Sequence, residues 1–183
     1  MKALLFALLP VFMFAAPGLA WAGKAHQHGV AQLDLAVEPT RVTLDLNTPL
    51  DNLLGFERAP RTDAERVAVD KVLARLRAAD GLFRIDGAAG CTLVKVSLVS
   101  SVLGLAPIGV DGTKAAEAAK GDHAELNGRF EFTCKAGNRA SFVEVGLFEA
   151  FAQLKRIELQ LVLPRGQMKA SLLRPATRVA LAR

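Results

Sequence analysis

Tyrosine is absent from these 183 residues, and histidine occurs only three times, at positions 26, 28 and 123. No Lys/Arg block stands beside a run of aromatics. These lacks exclude the basic stripes and stacking platforms that hold nucleic acids. No G-x-S-x-G, P-loop or dinucleotide glycine fingerprint occurs, so the chain has none of the usual hydrolase or nucleotide-binding signatures. Cysteine is nearly as scarce: Cys91 and Cys134 stand alone, without the C-x-x-C spacing of a thiolate zinc site. Beyond the first 22 residues no apolar run reaches 18 residues, so the mature chain has no segment suited to a transmembrane helix.

What is present begins with an export signal. Lys2 gives a positive start, residues 3–17 are nearly all Leu, Phe, Val and Ala, and Ala20, Trp21 and Ala22 form an A-x-A cleavage box. The expectation is a signal peptide over residues 1–22 and a periplasmic mature protein. Its loss removes one lysine and no acid, leaving 22 basic and 18 acidic residues, a mild net charge of +4. In that oxidising compartment a disulfide is the expected fate of Cys91 and Cys134.

Periodicity then organises the mature chain. Ala31, Leu33, Leu35 and Val37 alternate with polar residues, Pro39 and Thr40 turn the chain, and Val42, Leu44 and Leu46 alternate again, which predicts a half-buried hairpin. Residues 50–56 read as one or two turns of helix. Thr62 with Glu65 makes a capping box, and Val69, Val72, Leu73 and Leu76 form a stripe, which predicts an amphipathic helix over residues 62–80. Residues 82–86 and 91–100 flank a Gly-Ala-Ala-Gly turn and read as another hairpin. Residues 102–122 read as a linker.

Placing His123 on His28 aligns Leu126, Phe130 and Phe132 with Ala31, Leu35 and Val37. Residues 142–145 then stand for a second strand, 147–151 for the short helix, and 157–172 for a last hairpin around Pro164, Arg165 and Gly166. The expected fold is α+β, with two pseudo-symmetric β-β-α-β-β halves of antiparallel sheet, at 23–101 and 123–183, forming one compact domain. Only the first half carries the long helix.

The histidines carry the chemistry. Two residues apart, His26 and His28 project to one side if the first strand starts that early, and His123 holds the matching place in the second half, with Asp122 beside it and Glu125 two residues on. Three imidazoles and one or two carboxylates make a zinc-type ligand set. The competing reading is a solvated tail on an envelope interaction or scaffold module. A cut after Gly23 would put His26 third in the chain and create an amino-terminal Cu(II) site, but Trp21 disfavours that cut. A zinc-dependent hydrolase would need the same three histidines, and no general base stands out among the acids, so the chain reads as no enzyme.

The string His-Gln-His-Gly-Val-Ala-Gln-Leu at 26–33, the block Pro-Leu-Asp-Asn-Leu-Leu-Gly-Phe-Glu at 49–57, the two cysteines, His-Ala-Glu-Leu at 123–126, and Leu147 with Phe148 resemble the ZrgA-like family of periplasmic zinc-uptake proteins. The resemblance implies zinc binding in the service of zinc acquisition, alongside an ABC-type importer, with the motif histidines carried onto His26, His28 and His123. Such families often bear a His/Asp-rich insertion. Here the corresponding residues 112–122 hold Lys, Ala and Glu but no histidine, which argues against a buffering loop and is compatible with a single ordered site.

Overall fold

The alternating segments form strands, and the computed structural model describes them within residues 27–106 and 124–181. Strands β1 (Val30–Val37) and β2 (Arg41–Pro49) make the expected hairpin, with Leu35 opposite Leu44 and Val37 opposite Val42. Their apolar set is buried throughout, from Ala31 and Leu33 to Leu44 and Leu46. Helix α1 (Asp51–Leu54) follows at once and is a single turn. Helix α2 (Asp63–Arg77) starts at Thr62, whose side chain accepts from the Glu65 N–H while Glu65 reaches back, so the capping box is complete. It buries Val69, Leu73 and Leu76, most of the stripe that the sequence presents.

Strands β3 (Phe83–Ile85) and β4 (Cys91–Val99) do not pair with each other, contrary to the hairpin read from the Gly-Ala-Ala-Gly turn. Residues Gly87–Ala89 form a 3-10 turn, and the Asp86 carboxylate caps it at the Ala88 N–H while also accepting from the Ser141 N–H. The chain therefore crosses between two sheets there. Strand β4 joins β5 (Glu125–Cys134), and β3 joins β6 (Phe142–Val145). Helix α3 (Leu147–Ala150) and strands β7 (Arg156–Leu163), β8 (Gly166–Leu173) and β9 (Arg178–Ala180) complete the order.

The larger sheet runs β4-β5-β2-β1-β7-β8, and the smaller runs β3-β6-β9. The protein is α+β, but the large sheet is mixed rather than antiparallel, because β1 and β7 pair in parallel. Parity repeats between the halves, since Leu126, Phe130 and Phe132 are buried like Ala31, Leu35 and Val37. Pairing does not repeat: β1 and β2 share a hairpin, whereas β5 and β6 lie in different sheets. The reason lies between them, where the chain takes a 3-10 turn at Gly137–Arg139 and the Gly137 N–H donates to the Pro39 carbonyl at 2.6 Å. A side chain at 137 would collide with the Glu38 carbonyl, so only glycine lets the chain leave the sheet there.

One buried cluster unites both sheets and α2, and Phe83 of the small sheet meets Phe130 of the large one at a ring separation of 4.9 Å. The expected disulfide joins Cys91 to Cys134 across the β4–β5 pair. No described helix is long and apolar enough to cross a membrane. The expected signal peptide, and the expected linker beyond residue 106, lie outside the described residues.

Candidate metal centre

A tight turn presents His28. Residues 27–30 close with the Val30 N–H donating to the Gln27 carbonyl at 3.0 Å, and Gly29 takes φ +80°, the left-handed value that a type II turn needs at its third position. His28 is thus on a turn just before β1, not in the strand, and the strand-parity argument for pairing it with His26 does not apply. Gly29 is fixed on both sides. Its carbonyl accepts from the Lys155 and Arg156 N–H groups at 2.8 and 2.9 Å, and its own N–H donates to the Asn52 side chain at 2.6 Å.

Asn52 is buried, and its amide donates to the Val30 carbonyl at 2.9 Å and to the Thr48 hydroxyl at 3.0 Å. It therefore ties the His28 turn to the end of β2 and to α1. This tie sets the position of the residue before it: Asp51 Oδ2 lies 3.4 Å from His28 Nδ1. At the far end of α1, Gly55 adopts φ +82° and its N–H caps the Asp51 carbonyl, which ends the helix and swings the chain back. Glu57 follows, with Oε1 at 3.3 Å from His28 Nε2. One imidazole, itself 65% exposed, stands between two carboxylates.

Arg58 could neutralise Glu57 but is engaged elsewhere. Its guanidinium makes a two-pronged pair with Glu65, at 2.9 and 2.7 Å, and lies over the Phe56 ring. The pair raises Arg58 and, with help from the Arg61 N–H, lowers the Glu65 carboxyl to about 2. The loop carrying Glu57 is thereby braced against the start of α2.

The remaining expected residues fall as follows. His26, Asp122 and His123 lie outside the described residues. Their described chain neighbours lie at one end of the large sheet, where β1 and β5 start and β2 ends. Gln27, next to His26, begins the His28 turn; Ala124, next to His123, accepts through its carbonyl from the Leu50 N–H at 2.8 Å, one residue before Asp51. Glu125 opens β5 and accepts from the Asn47 amide at 3.0 Å.

Asp51, Asn52 and Glu57 are absent from the ligand set read from the sequence. All three sit in the 49–57 block, whose signal is a carboxylate at each end of one helical turn closed by glycine. Imidazole and carboxylate are donors that zinc accepts, so these residues fit the ion in kind. Among the described residues, however, no group of three or more His, Cys, Asp or Glu side chains is arranged to hold a metal ion. The two ring nitrogens of His28 point apart, so Asp51 and Glu57 address its opposite edges.

A comparison with curated proteins gives no match. A family model described as ZrgA family zinc uptake protein matches residues 25–181, which takes in the His28 turn, the 49–57 block, both cysteines and all of the sheet. The chain belongs to the ZrgA family of zinc uptake proteins.

Proposed function

We propose that this protein is a periplasmic, non-enzymatic zinc-binding protein that captures zinc and passes it to an ABC-type importer. Family membership gives the zinc uptake role. The proposed ligands are His26, His28 and His123, with Asp122 or Glu125 completing a tetrahedral set. The observation that carries the reading is the position of His28. It stands on a turn locked by Asn52, at the end of the sheet where the chain neighbours of His26 and His123 also lie. Zinc is preferred to copper because imidazole with carboxylate suits it and because the amino-terminal copper site needs the disfavoured cut. The periplasmic reading draws on the A-x-A box and on the disulfide, a bond kept in oxidising compartments.

Binding alone does not establish delivery, so the test is physiological. A strain lacking the protein is expected to grow more slowly under zinc chelation. Growth should recover with the intact gene, but not with one in which all three histidines are alanine. Equal growth with and without the protein at every zinc level would refute the uptake role.

A further inference from the structure

We propose that the two carboxylates facing His28 have different roles toward zinc: Glu57 is a ligand beside Nε2, and Asp51 is a positioning residue that holds the ring through Nδ1. This rests on the zinc-binding reading above and puts Glu57 in the fourth place that Asp122 or Glu125 would otherwise fill. The first argument is the divergence of the ring nitrogens. A zinc ion on one nitrogen leaves the other to donate its proton to an acceptor, which fixes the ring and strengthens the ligand. His28 has such an acceptor at each edge, at 3.4 and 3.3 Å, so the question is which edge takes the metal.

Rigidity and exposure decide it. Asp51 is the less exposed of the two carboxylates, at 23% against 38%, and it opens α1 immediately before Asn52, the clamp that also holds Gly29 and Val30. Its main chain is therefore held through Asn52 by the same buried hydrogen bonds that hold the His28 turn. Glu57 lies past Gly55, on a longer and more open side chain, on the edge that solvent reaches. Its neighbour Arg58 is taken up by Glu65, so that guanidinium does not compete for the Glu57 carboxylate. A dication entering at Nε2 meets a carboxylate already in place. The 49–57 block thus contributes one ligand and one orienting acceptor.

The test uses the mature protein, with zinc affinity read by competition against a chromophoric chelator and the His28 ring nitrogens read by 15N NMR. In the wild type, zinc is expected on Nε2 with the proton on Nδ1. Glu57→Gln should weaken binding at least tenfold, and Glu57→Asp should recover part of the loss, which a folding defect would not explain. Asp51→Asn should weaken binding by about 10–100-fold and leave zinc divided between the two nitrogens. Zinc on Nδ1 in the wild type, or Glu57→Gln binding as the wild type does, overturns this assignment while leaving zinc binding intact. No zinc binding by the wild type overturns both.

Discussion

Asn52 decides where His28 stands. Its side chain makes three hydrogen bonds, to the Gly29 N–H, the Val30 carbonyl and the Thr48 hydroxyl, and it is almost wholly buried. Asn52→Ala would leave those groups without their partner in the interior, so a loss of about 1–3 kcal/mol is expected in urea denaturation, together with weaker zinc binding. Gly29→Ala should act on the same turn by another route, since φ +80° is strained for an L side chain and the new Cβ would meet the Lys155 side chain at 3.2 Å. A cost of about 1–2 kcal/mol is expected from the backbone alone. At this scale the sequence is legible where residues are rare. Three histidines draw attention; Asp51 and Glu57, two among 18 acidic residues, acquire meaning only when a helical turn and Gly55 bring both to one imidazole.

Local signals specify elements well. The β1–β2 and β7–β8 hairpins, the short helix after Pro49 and the capping box of α2 all follow from periodicity and turn chemistry within a few residues. Partner choice is different. The parallel β1–β7 pair joins segments more than 100 residues apart, and alternation marks which face is buried without naming the neighbour. The 86–90 turn misleads for the same reason, because it looks like a hairpin loop until the Asp86 and Ser141 contacts redirect it. One element carries a pH prediction. Glu65 is held at about 2, chiefly by Arg58, below its ordinary value near 4.5. A depressed carboxyl stabilises the fold above its unfolded value, and that stabilisation is lost as pH falls from about 4.5 through about 2. Glu65→Gln should flatten the stability profile in that acid window, as read by thermal unfolding at stepped pH. An unchanged acid slope would refute the role given to the Arg58–Glu65 pair.

For the molecule as a whole, the Cys91–Cys134 bond ties the edge strand β4 to β5, across a sequence separation of 43. Removing it by replacing both cysteines with alanine should cost about 3–4 kcal/mol by the chain-entropy model, measured by denaturation of the oxidised and variant proteins. The bond anchors the β5 strand whose first residues follow His123, so it stabilises the same sheet that presents His28. Metal capture belongs to this scale because the proposed ligands come from three separate stretches of the chain. Since imidazole must be neutral to ligate, acid should weaken zinc binding, and a flat pH profile would count against histidine ligation. The central claim is tested most directly by titration calorimetry of zinc into the mature protein. The account predicts a Kd below about 10 μM that is lost when His26, His28 and His123 are all alanine. No binding in that range, or equal binding by the triple variant, would contradict it.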